Sequence, residues 1–481
     1  MRKLLPGVLI LGFAIFVAGT QQKPQTLNKL NVVALDAHGH PVANLTSADF
    51  QVYDDGKPQP IIWFGFKRGK PTQTPLAPGE YSNRSGARRD TVVILFDMLN
   101  ERVLGDATVR TEIIDALKNL ESGERIYLYL LTPRGEVFPV HPLPSSDTEP
   151  KPEAEPWTRQ VASMLDQALK PFVGFRPVDD FDLKVRYEQT IRALNDLGSQ
   201  MSEVIGRKNL VWVTPGFPIY GYSISAGSRI DVTNPLNDFY ERLALSQIVV
   251  YPVDQSMRGA GAGLATYSEQ TLQAAADLTG GRRLTSDRVE NAITDALTDS
   301  RANYEIAYQT PAQKPDGKRH KVRVTTARKD VRLQTVQAYY VLPPVAPEDL
   351  ERAAFETAIH SPFDATDIGV RASITPAPNA KSLNVNILVD RDDLLFLQSG
   401  QNFTGHAEVI VASYDPNGFQ QASKPVSLDL DLTPDQLESA SRNGVAIQET
   451  IPIANSIQRI RVIVYDPALN ATGSVAVPVS P

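Results

Sequence analysis

The chain has 481 residues, too many for one ordinary core, so two or three domains are expected. With 42% apolar and 21% charged residues and a net charge of −7, it is globular, and nothing favours nucleic acid or an anionic membrane surface as partner. The absence of cysteine excludes disulfides, thiolate metal sites and a lipid-modified N-terminal cysteine.

Residues 1–20 begin with Arg2 and Lys3, continue with an apolar stretch from Leu4 to Val17, and end in small residues. That is the pattern of a secretory signal peptide. Its apolar stretch falls short of the roughly 20 residues a spanning helix needs. An exported chain without disulfides points to a bacterial periplasmic or secreted protein, with no membrane span once the signal is cleaved.

Residues 28–66 alternate strand-like pieces with turns, including DFQVYDDGKPQPIIWFGF with a hairpin at Asp55-Gly56, and read as a small β module. Residues 67–90, rich in Pro, Gly, Ser and Arg, read as a linker. From 91 to 341, strand and helix patterns alternate. The run 91-TVVILFDMLN-100 is apolar up to Asp97, as a strand buried on both faces would be. An amphipathic segment from Asp106 to Leu120 follows, then RIYLYLL, GEVFPV, a proline-rich acidic excursion at 141–157, and a helix carrying Ile191, Leu194, Leu197, Met201 and Ile205. After these come NLVWVTPGFP, QIVVYPVDQ, a helix stopping at Gly280-Gly281, a helix at Val289, Ile293 and Leu297, NYEIAY, and a closing edge hairpin at 319–341. The alternation predicts an α/β domain with a doubly wound, mostly parallel sheet. Residues 342–350 read as a second linker, and 351–481 as a β-sandwich of Ig-like type.

The order of these pieces resembles the von Willebrand factor type A domain: a strand ending in Asp97, Thr190 and Ala193-Leu194 opening a helix, GRKNLVWVTPG at 206–216, and ADLTGG at 276–281. With DFQVYDDGKPQPI before it and YEIAYQTP and GKRHKVRV after it, residues 29–341 resemble the VWFA-related group of secreted bacterial proteins.

The resemblance implies a metal-ion-dependent adhesion site of pattern D-x-S-x-S, completed by a threonine and a later aspartate. There, oxygen ligands hold Mg²⁺ and leave a position open for a partner's carboxylate. Here Leu99 and Glu101 stand at the serine positions, and Pro215 stands where the later aspartate belongs. Thr190 matches the threonine, with Glu188 competing for that position. The site therefore reads as degenerate, Asp97 capping the following loop through backbone amides. The alternative is a rearranged Mg or Ca site built from Asp97, Asn100, Glu101 and Thr190.

Other chemistry is sparse. His38 and His40 share a turn but lack a third ligand. The segment 221-GYSIS-225, which contains Ser223, lacks the closing glycine of a nucleophile elbow, and 259-GAGAG-263 lacks the placement of a phosphate cradle. Neither Asp179-Asp180 nor Asp392-Asp393 can face a cleft as a pair. The expectation is a non-enzymatic, exported, adhesion-type module without a cofactor. It would meet an unknown protein partner through a face marked by Asp97, Thr214 and Asp254. Metal-dependent adhesion through the rearranged site is the alternative, with a hydrolase ranked behind both.

Overall fold

In a computed structural model the described residues are 27–68, 76–84, 91–100, 125–144, 183–216, 220–223, 228–231, 233–254, 262–285, 289–311, 318–341, 345–378, 382–452 and 457–479, with isolated positions between them. The signal peptide, the segment from Asp106 to Leu120 apart from isolated helical positions, and most of the acidic excursion lie outside them.

One sheet is largely parallel. Its order is Ile248–Asp254, Lys208–Thr214, Thr91–Asp97, Arg125–Leu131 and Val137–His141, with the last strand antiparallel. Every residue of Thr91–Asp97 and Lys208–Thr214 is buried, because alternate side chains feed two cores. Val92, Ile94 and Phe96 join Val211, Val213 and Tyr251 beneath helix Val289–Arg301. Val93 and Leu95 join Leu210, Trp212 and Val250 beneath helices Leu183–Ser202, Thr233–Leu245 and Ala262–Thr279. The last of these stops at Gly280, whose φ of 80° suits a helix end. A Cβ on the following Gly281 would collide with the Val250 carbonyl.

The doubly wound α/β fold of von Willebrand factor A type, expected as the class of the chain, is overturned. Among the described residues strand accounts for 47% and helix for 25%, and only four strands pair in parallel. The remaining sheets are antiparallel. Strand Ala302–Gln309 does not extend the parallel sheet; it lies between Leu27–Leu35 and Ile61–Arg68, with Arg332–Gln334 beyond Leu27–Leu35. Facing this sheet, Arg319–Thr326 pairs with Phe50–Asp54 and Ala338–Tyr340, and Lys57–Gln59 forms the edge. Leu30, Val32, Phe50, Val52, Tyr304, Ile306, Tyr308, Val322 and Val324 fill the space between. The physical reason is visible in Tyr304 and Tyr308. Their hydroxyls need partners when buried, and they find them in the N-terminal segment: Tyr304 donates to the Val42 carbonyl at 2.8 Å and Tyr308 to Asp54 at 2.8 Å.

The C-terminal portion is a second sandwich. One sheet runs Val445–Pro452, Ser382–Val389, Val370–Pro376 and Glu80–Ser82. Its partner is built on Asn402–Asp415, Arg459–Asp466 and Ala471–Pro478. Val385, Ile387, Val409, Val411, Val462 and Val464 pack between them. Helix Pro347–His360 seals the outer face of the second sheet, with Phe355, Ala358 and Ile359 against Ile410, Ile463 and Tyr465.

The segment read as a linker, 67–90, thus supplies a strand to this sandwich. Asn83 locks it in place, its Nδ2 donating to the Ala365 and Ile368 carbonyls at 2.7 and 2.8 Å. Arg84 adds ion pairs to Asp390 at 2.9 Å and Asp393 at 2.6 Å.

Candidate functional site

The parallel strands Thr91–Asp97, Lys208–Thr214 and Ile248–Asp254 end side by side, Phe96 in register with Val213 and Asp254 with Thr214. Asp97, Thr214 and Asp254 therefore stand along one sheet edge, the carboxyl end at which open α/β sheets carry their ligands.

At that edge Asp97 is the hub of a buried polar knot. Only 4% of it is exposed, and Asn100, Thr190 and Thr214 are buried with it. Its Oδ1 accepts the Asn100 backbone N–H at 3.1 Å. Its Oδ2 accepts Asn100 Nδ2 at 2.8 Å and the Thr214 hydroxyl at 2.7 Å. Asn100 Nδ2 also donates to Thr190 Oγ1 at 2.9 Å, which ties in helix Leu183–Ser202. Thr214 Oγ1 in turn accepts the Gly216 N–H at 3.0 Å. Burial pushes the Asp97 carboxyl above its ordinary pKa, and the donors from Asn100 and Thr214 pull against that shift.

The knot brings together Asp97, Asn100, Thr190 and Thr214. It does not include Leu99, which is buried in the core beside Trp212, and Glu188 lies exposed on the same helix as Thr190. Glu101 lies outside the described residues. Asp254 is separate: it pairs with Arg283 at 2.7 Å, and Arg283 also reaches Glu269 at 2.6 Å. A cation entering at Asp97 would have to displace three donors from the carboxylate. As arranged, the site works as an acceptor that fixes a loop to a helix and to a neighbouring strand. Sequence reasoning missed Arg283; its only signal was the Arg282-Arg283 pair directly after the helix-ending glycines.

The remaining candidates fall elsewhere. Ser223 is the last residue of strand Tyr220–Ser223, paired with Ser228 in a hairpin, which is not the strand-to-helix turn that exposes a nucleophile. Gly263 lies within helix Ala262–Thr279. His38 and His40 have ring centroids 6.2 Å apart, and His40 faces Asp36 at 3.5 Å. Asp393 is taken by Arg84, and Asp392 by Arg391 at 2.9 Å. Among the described residues no helix is long and apolar enough to cross a membrane.

No family model matches the chain and no curated protein does, so membership of the von Willebrand factor A family is not shown. Solved structures similar to the chain include BatB from Bacteroides thetaiotaomicron, 13% identical over 44% of this chain and 97% of that one, with a TM-score of 0.27. The pilus adhesin SpaC from Lactobacillus rhamnosus GG, in its open conformation, is 11% identical over 87% of this chain and 70% of that one, with a TM-score of 0.26. Distant structural neighbours thus include an adhesin, at TM-scores that carry no argument about mechanism.

Proposed function

We propose that this chain is an exported, non-enzymatic binding protein of adhesion type that recognises a protein partner without a bridging cation. One observation carries the reading: the Asp97 carboxylate, where such a cation would sit, is consumed by Asn100 and Thr214 of the same chain. The architecture supports it. The strand ends at Asp97, Thr214 and Asp254 stand side by side along one edge of the parallel sheet, which serves as the presenting edge. Export rests on the basic, apolar and small residues of positions 1–20.

The test is retention of envelope proteins on the immobilised chain in buffers with and without millimolar Mg²⁺ or Mn²⁺. The expected result is a retained partner whose affinity does not change with either ion. Retention that requires Mg²⁺ and disappears in Asp97→Asn would overturn the cation-free mechanism. Hydrolysis of ester or glycoside substrates that is lost in Ser223→Ala would overturn the non-enzymatic one.

A further inference from the structure

In the N-terminal sandwich, strand Phe50–Asp54 turns through Asp55-Gly56 beside strand Arg319–Thr326. One carboxylate oxygen each from Asp54 and Asp55 and a ring nitrogen of His320 lie within 4.8 Å of one another. Asp54 is 1% exposed. Its hydrogen bonds, from the Tyr308 hydroxyl at 2.8 Å and the Tyr339 hydroxyl at 2.7 Å, both fall on Oδ2. Among the described residues Oδ1 receives no donor and no cationic side chain pairs with this carboxylate. A buried carboxylate of that kind calls for a positive charge.

His320 supplies the rest of the pattern. Its Nδ1 faces Asp55 Oδ2 at 2.8 Å, while its Nε2 faces Asp316 Oδ1 at 3.3 Å, and the ring stacks on Tyr339 with centroids 5.3 Å apart. A metal-binding histidine typically donates its second ring N–H to a carboxylate, and its carboxylate co-ligands are themselves held by hydrogen bonds. Asp316 and the two tyrosines stand in those supporting places.

We infer that Asp54, Asp55 and His320 form a binding site for a divalent transition ion of the Zn²⁺ class, steadied by Asp316, Tyr308 and Tyr339. Two carboxylates and a neutral imidazole sum to the charge such an ion cancels, and one imidazole with two oxygens suits Zn²⁺ completed by water. Entry of the ion displaces the proton shared by Nδ1 and Asp55, which passes to solvent. Tetrahedral ligands about 2.0 Å from zinc lie about 3.3 Å apart, so Asp55 must back away from Nδ1 by about half an ångström. Its position in an exposed turn permits this. The bound ion would pin the turn to the neighbouring strand Arg319–Thr326.

The experiment is calorimetric titration of the full chain with ZnCl₂, alongside the visible absorption of Co²⁺ as a substitute. The expected result is one ion per chain and tetrahedral Co²⁺ bands, both lost in His320→Gln. Asp316→Asn is expected to weaken binding by about ten- to a hundredfold. The exposed Asp316 variant keeps the proposal falsifiable if His320→Gln does not fold, since unchanged affinity there overturns the arrangement. Absence of stoichiometric zinc would overturn it too, as would full binding by His320→Gln, which would place the metal at other histidines.

Discussion

Replacing Asp97 with alanine removes the acceptor from three hydrogen bonds at a site where water is scarce. Asn100 Nδ2 keeps its bond to Thr190, but the Asn100 backbone N–H and the Thr214 hydroxyl lose their partner. Leaving a buried donor unsatisfied costs about 1–3 kcal/mol, so the two together cost about 2–6 kcal/mol. Relief of the burial penalty on the carboxylate, seen in its raised pKa, offsets part of this. A net loss of about 2–4 kcal/mol is expected for the parallel-sheet unit. Asp97→Asn, which keeps one oxygen acceptor, should lose about half as much. Urea unfolding followed by Trp212 fluorescence measures it as a shift in midpoint at unchanged slope. An open metal site behaves the other way, because removing one of its clustered carboxylates relieves repulsion and stabilises the metal-free protein. An unchanged or more stable Asp97→Ala would therefore refute the view of Asp97 as a structural knot.

Burial of Lys208 lowers its pKa from 10.5 to about 8, against the pull of Asp367. With the folded value below the unfolded one, the unfolded chain takes the proton first, so stability falls as pH drops from about 10.5 to about 8 and is level below. At 1.36 kcal/mol per unit this penalty is about 3 kcal/mol. Lys208→Met gives up the bond from Nζ to the Val204 carbonyl, worth about 1 kcal/mol. It should still be about 2 kcal/mol more stable at pH 7, an advantage that shrinks above pH 8; urea midpoints across that range would show it, and a pH-independent difference would refute it. Phe355→Ala removes a side chain that meets Tyr465 edge-on at 6.1 Å and should cost about 3 kcal/mol, measured by denaturation of the C-terminal sandwich. A fragment of residues 342–481 lacks strand Glu80–Ser82 and should melt lower than the same sandwich in the full chain. A synthetic peptide of residues 76–84 should raise its melting temperature saturably, whereas an Arg84→Ala peptide should bind several-fold more weakly; a peptide without effect would refute the strand's contribution.

The apolar runs TVVILF and NLVWVT announced buried strands because burial on both faces leaves no polar alternation to misread. NYEIAY misled for a related reason. A short buried run looks the same whether it continues a parallel sheet or returns to an antiparallel one, and what decides between them lies far off in sequence. Tyr308 contacts Asp54 and Asn28, some 250 and 280 positions away. EYS, at 80–82, is too short to show any period and sits among turn-forming residues. At the candidate site, Asp97 was legible from its position at a strand end. The partners that saturate it, Asn100 and Thr214, depended on how a loop folds back and which strand lies alongside. The pairing of Asp254 with Arg283 likewise required knowing which segment follows the helix in space.

The N-terminal sandwich is written in two instalments, since Asn31 and the Asn303 it bonds are 272 residues apart. During synthesis at roughly 5–20 residues per second, the first instalment therefore waits for roughly a quarter of a minute to a minute before its mates emerge. Throughout that interval Leu27–Leu35 and the edge of Phe50–Asp54 that faces away from Lys57–Gln59 lack their partners. Unpaired edges of this kind are templates for wrong pairing, and joining segments so far apart carries a closure entropy that grows slowly with the length of the chain between them.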